Sequence, residues 1–175
     1  PNYRNPIKSF NEDKLRVQSQ LDPEDMEFIR AMPTTLSLGF LGGREWLAVH
    51  AGIEPGQPLE KQKKDHLVRL RWVDDDGLYR PYDSDDQGRS VLGRPKDTKY
   101  WADVWSGPYS VVYGHAVHSL VDPRITVNDG VITVGLDTGC CFGGRLTALL
   151  LPSFDFVQVQ ARRTYWSMPD VAWAE

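Results

Sequence analysis

Residues 111–120, VVYGHAVHSL, carry an apolar run that breaks off at a glycine and then holds two imidazoles. Val111, Val112 and Tyr113 are β-branched or aromatic and read as a buried strand. The run stops at Gly114-His115, and His118 follows. The chain has only four histidines, so this strand end is an unusual place to spend two. The stretch WLAVHAG, residues 46–52, repeats the pattern: a strand over Trp46–Val49 ends on His50, with Gly52 two residues on. Open sheets place their binding loops just beyond strand ends, and neutral imidazole is a common ligand of transition metals. Two structural histidines would leave the same pattern, and the residues alone leave both readings open.

Working outward, TTLSLGFLGGREWLAVHAGI predicts a hairpin, with Thr34–Phe40 alternating, Gly42-Gly43 turning and Trp46–Val49 returning. Before it, LDPEDMEFIRAMP predicts a helix capped by Asp22, with Pro23 at its first position, Met26, Phe28 and Ile29 on an apolar face, and Pro33 as the stop. EPGQPLEKQKKDHLVRLRW reads as a loop passing into a short helix through about Trp72. Residues 72–108, rich in Asp, Gly and Arg, read as a long loop excursion. Its acidic runs, Asp74-Asp75-Asp76-Gly77 and Asp83–Gly88, lack the alternating spacing and final Glu of a calcium loop and read as solvated. After Tyr109 the pattern turns to strands at Val111–Tyr113, Gly130–Leu136, Leu146–Leu151 and Phe154–Gln160, with 166–175 as a tail. GLDTGCCFGGRLTALL, residues 135–150, reads either as a hairpin with a generous loop or as a glycine-lined wall beside a ligand, with Asp137 or Thr138 hydrogen-bonding there.

The bulk numbers frame these readings. A chain of 175 residues is about one domain's length. Its net charge of −4 gives no bulk nucleic-acid-binding surface, though a local basic pocket remains open. No apolar run is long enough to cross a bilayer, so no membrane partner is expected. Cys140 and Cys141, the only cysteines, are adjacent and form neither a disulfide framework nor a CxxC zinc pattern, which suits a reducing, cytoplasmic setting. His66 reads as solvated on a charged helix. His118 reads as a turn residue or a spare proton donor, and Trp72, Trp101 and Trp105 as core or loop anchors or as a base-stacking platform.

LAVHAGIEP, VVYGHAV and GLDTGCCFGGRLTALLLP, in that order, resemble the second half of a calcineurin-like metallophosphoesterase of the phosphoprotein phosphatase superfamily. The resemblance is to its diadenosine tetraphosphate hydrolase and ApaH-like branch, over roughly residues 20–165. It implies an α/β (α+β) fold, the C-terminal portion of a four-layer α/β/β/α sandwich. It implies that His50 and His115 ligate one of two divalent transition metal ions (Mn, Fe, Zn or Co), and that Arg71 or Arg69 holds a substrate phosphate. The implied reaction is two-metal hydrolysis of phosphoanhydride bonds in dinucleoside polyphosphates or related nucleotides. Protein Ser/Thr phosphatase, endopolyphosphatase and RNA-cap hydrolase activities share the scaffold, and a non-catalytic fragment is the remaining alternative. The family's GDxHG, GDxxDRG and GNHE motifs are not present in these residues. The chain is therefore expected to be a partial domain lacking its N-terminal metal-binding half, which a separate chain could supply, and to be inactive alone if nothing does.

Overall fold

The computed structural model describes residues 14–82 and 93–166. The chain divides into two units, residues 1–33 and 34–175.

In the first unit, residues 14–18 are helical (α1), and α2 spans Pro23–Ala31. The expected start of α2 is present in full. Asp22 Oδ1 accepts from the Asp25 amide at 2.9 Å, and Asp25 Oδ2 accepts from the Asp22 amide at 3.1 Å, a reciprocal cap behind Pro23. Phe28 and Ile29 are exposed, and α2 buries no residue.

The second unit is built on a mixed sheet of five strands. β1 (Thr35–Leu41) and β2 (Arg44–Val49) form the expected hairpin. Gly42 and Gly43 turn it with φ of 58° and 82°, the doubly left-handed geometry that matches strand twist in a two-residue loop. β2 runs parallel to β6 (Ser110–Tyr113), and β6 runs parallel to β8 (Val131–Gly135). β7 (Arg124–Asn128) pairs antiparallel with β8, giving the order β1-β2-β6-β8-β7. Three parallel strands thus occupy the centre, and antiparallel strands close both sides.

The helix expected to reach Trp72 is one turn, α3 (Lys64–Leu67), and Trp72 begins a strand instead. Within residues 72–108, β3 (Trp72–Val73), β4 (Tyr79–Arg80) and β5 (Lys99–Tyr100) make a small sheet in the order β4-β3-β5, followed by α4 (Trp101–Val104). Pairs of residues are too short to show a two-residue period, so this sheet leaves little trace in the sequence. Asp74 is used locally: its Oδ1 accepts from the amides of Asp76 and Leu78, at 3.1 and 2.9 Å, and shapes the β3–β4 turn. The run Asp83–Gly88 lies outside the described residues.

Beyond β8 the chain leaves the central sheet. β9 (Arg145–Leu150) pairs with β10 (Asp155–Gln160) in a separate two-stranded ribbon. GLDTGCCFGGRLTALL is therefore not a hairpin returning to its own sheet. Gly144 is required at the crossing, because a Cβ there would sit 2.0 Å from the Thr138 carbonyl oxygen.

The core lies where the central sheet meets the β3–β5 region. Trp101 is fully buried, with ring centres at 5.0 Å from Tyr113 and 6.2 Å from Trp105. Leu47, Val49, Val111 and Val131 join the same cluster. Trp72 and Trp105 belong to it too, so the three tryptophans anchor the fold.

Candidate metal and phosphate site

Parallel neighbours end at the same edge of a sheet, and that fact assembles the site. β2 runs out into His50, β6 into Gly114-His115, and β8 into Leu136-Asp137. Backbone bonds tie the three exits together: the Gly114 amide donates to the His50 carbonyl at 2.9 Å, and the Leu136 amide donates to the Tyr113 carbonyl at 2.8 Å. The rings of His50 and His115 lie with centres 5.1 Å apart. An open recess of about 310 Å³ is lined by both imidazoles together with Asp137, Thr138, Cys140 and Arg145.

The two glycines near the histidines have different duties. A Cβ on Gly114 would meet nothing nearer than the His50 carbonyl at 3.6 Å, an ordinary contact. The left-handed turn falls on His115 itself, at φ 67°. A non-glycine residue held there costs about 1 kcal/mol or more, a cost that clusters at functional positions. Gly52 serves packing: a Cβ there would be 2.6 Å from the Trp101 ring.

Burial lowers the His115 pKa to about 4, and the charges of Arg71 and His50 push the same way. A hydrogen bond to the Arg69 backbone works against them. His115 is thus neutral at pH 7, the form that ligates metals. Arg71 is held against it: Nη2 donates to the His115 carbonyl at 3.0 Å, Nη1 donates to the Tyr82 hydroxyl, and the guanidinium carbon sits 5.4 Å from the centre of the Tyr82 ring. Arg69 points elsewhere, with a side chain 64% exposed that pairs with Asp65 at 3.2 Å one helical turn away.

Asp137 lines the recess, and its Oδ1 accepts from the Gly139 amide at 3.1 Å. Thr138 is buried; its hydroxyl donates to the Arg145 carbonyl at 2.6 Å and accepts from Thr147 Oγ1 at 2.6 Å. Its one proton is committed within the fold, making it a strut across the β8–β9 connection. Arg145, whose Nη1 donates to Gln158 Oε1 at 2.9 Å, was not singled out from the sequence, although it stands in the quoted GGRLTAL stretch. Cys140 and Cys141 are free thiols, and burial followed by the charge of Asp137 raises the pKa of Cys141.

His66 is not solvated. Its Nδ1 lies 3.0 Å from Glu54 Oε2, its side chain is 18% exposed, and its ring packs on Tyr79 at 4.6 Å. Glu54 is brought up from a distant loop, so helix patterning could not anticipate the contact. His118 is half-buried against the Tyr100 ring, 4.4 Å centre to centre, and is absent from the recess lining.

The donor chemistry fits a metal in part. Two imidazole nitrogens at ~2.1 Å from one ion would hold their ring centres roughly 5 Å apart, in line with the observed separation. Among the described residues no third His, Cys, Asp or Glu joins them. Two imidazoles cannot complete a four-coordinate sphere.

No family model matches the sequence. Curated relatives do. The asymmetrical bis(5'-nucleosyl)-tetraphosphatase PrpE of Halalkalibacterium halodurans is 43% identical over 63 residues, covering 36% of this chain and 23% of that protein. The PrpE of Bacillus velezensis is 28% identical over 168 residues, covering 92% of this chain and 60% of that protein. A crystal structure of a proposed diadenosine tetraphosphatase aligns over 83% of this chain and 59% of its own, with TM-score 0.60 at 21% identity. The chain thus spans less than two thirds of the length of the relatives it matches. In sequence and in fold, it is similar to part of the ApaH-like, diadenosine tetraphosphate-hydrolysing branch of the metallophosphoesterases.

Proposed function

We propose that the chain forms part of a metal-dependent phosphoesterase that hydrolyses a phosphoanhydride bond of a dinucleoside polyphosphate. The observation that carries this reading is the pairing of His50 and His115 at the ends of adjacent parallel strands, with Arg71 held against the His115 backbone. His50 and His115 are the residues that would hold a divalent ion, Mn, Fe, Zn or Co, and they supply only part of its sphere. When bound, such ions polarise phosphoryl oxygens and supply a hydroxide nucleophile.

The chain's own residues then have distinct tasks. The half-buried, neutral imidazole of His115 offers a nitrogen lone pair. Arg71 has five N–H donors and uses two within the fold, which leaves others for phosphate oxygens. It stabilises charge that develops on those oxygens during displacement. Asp137 and Thr138 shape the wall that Arg145 shares. Arg69, paired on the surface, is the weaker candidate of the two arginines.

The test supplies the protein of which this chain forms part with each of the four ions in turn and offers diadenosine tetraphosphate, capped RNA, polyphosphate and a phosphopeptide. The expected result is metal-dependent cleavage of the dinucleoside substrate that disappears in His50→Ala and His115→Ala. Cleavage of the phosphopeptide alone would overturn the substrate assignment. Failure to bind any of the ions, with His50→Ala changing nothing, would overturn the enzymatic reading for this chain.

A further inference from the structure

A second recess, of about 270 Å³, shares no lining residue with the one at the histidine pair. Arg94, Lys99 and Arg124 line it with a single carboxylate, Asp103, over the edges of Trp72 and Tyr100. Arg124 is fixed from three sides. Nη2 donates to Asp103 Oδ1 at 2.6 Å, Nη1 lies 3.3 Å from His118 Nδ1, and the guanidinium carbon is 5.1 Å from the centre of the Tyr100 ring. Its buried Nε has no hydrogen-bond partner among the described residues. Arg94 lies over the Trp72 ring at 5.8 Å and donates to the Thr98 carbonyl, and it has no carboxylate partner among the described residues. Lys99 meets Asp75 at 3.1 Å, but both side chains are largely exposed, and such a pair holds weakly.

The chemistry of the wall selects its ligand. Three cations against one carboxylate favour an anion, and two planar guanidinium groups favour oxygens that accept two-point hydrogen bonds. Trp72 and Tyr100 are nearly fully buried, and each carries a guanidinium, so neither offers a free face for a base to stack on. The volume lies at the small end of ligand pockets and suits a compact polyanion. We propose that this recess binds a phosphate or diphosphate group through Arg94, Lys99 and Arg124, separately from the histidine pair. The group could come as free pyrophosphate or on a nucleotide, and the two sources share the chemistry that the wall reads.

Isothermal titration of the full-length protein in a chelator, with inorganic pyrophosphate and with ADP as probes, distinguishes the outcomes. The expected result is binding of pyrophosphate, weakened about tenfold by Arg94→Gln or by Lys99→Gln, as loss of a charge-assisted bond predicts. These side chains are exposed enough for both variants to fold. ADP is expected to bind within a few-fold of pyrophosphate, since the base finds no platform, and the His50→Ala, His115→Ala double variant is expected to bind both as before. No binding at millimolar pyrophosphate overturns the proposal. Binding that survives the Arg94, Lys99 double substitution overturns it, as does binding that vanishes with the histidine pair or requires the base.

Discussion

His115 and His118 stand three residues apart on one connection, and both are pushed down to about 4, chiefly by burial. Arg71 lowers both, but their surroundings otherwise differ. His115 borders an open recess beside a second imidazole, while His118 is wedged edge-on against Tyr100 with Arg124 at its Nδ1. The difference teaches that a displaced pKa by itself does not identify a reactive group. Access and neighbours matter as well: one ring faces an open recess, and the other lies against an arginine. The account therefore expects the site and its supporting core to respond differently to substitution.

The largest expected effect belongs to the core behind both rings. Trp101→Ala should cost about 3–5 kcal/mol, as deletion of a buried aromatic does, lowering the denaturation midpoint in a urea titration. His115→Ala or His50→Ala should instead lower hydrolysis by roughly 10²–10³-fold or more while the urea midpoint of His50→Ala stays close to that of the parent, because His50 is exposed. Next in size, Gly52→Ala should cost about 1–3 kcal/mol through overpacking against Trp101. A urea midpoint unchanged in this variant would contradict the close approach described.

The smallest effect is on pH dependence. Because the folded-state pKa of His118 lies below its unfolded value, the unfolded chain binds more protons between the two. Stability from this group is present above about 6.5 and is lost as pH falls toward about 4. Of the groups facing it, Arg124 and Arg71 push its pKa down and Asp103 pushes it up. His118→Gln should flatten the acid limb of a stability–pH profile, and an unaltered limb would show that burial of this ring contributes little.

Much of this contrast was legible locally. The hairpin turn at Gly42-Gly43, the Asp22 cap and the arrival of His50 and His115 at strand ends are all written within a few neighbouring residues. Parallel pairing of β2 with β6 then brings the two histidines together without further instruction. What remained hidden depends on distant partners. β3, β4 and β5 are two residues each, and only pairing reveals them. β7 presents Ile125 and Val127 outward, so its alternation lacks a buried face to mark it. The contact of His66 with Glu54 and the setting of His118 between Tyr100 and Arg124 join segments that no periodicity connects. Both strands of the β9–β10 ribbon were legible, but their apolar reading did not foretell that Leu146 and Val159 remain exposed.

Among the described residues no helix is long and apolar enough to cross a membrane. The donor atoms that His50 and His115 bring to one edge are the centre of the account. It is tested most directly by diadenosine tetraphosphate hydrolysis in manganese, measured side by side for His115→Ala and His118→Gln. The account predicts that the first loses activity by at least about a hundredfold and the second keeps it within a few-fold. Retained activity in His115→Ala, with loss in His118→Gln, would contradict it.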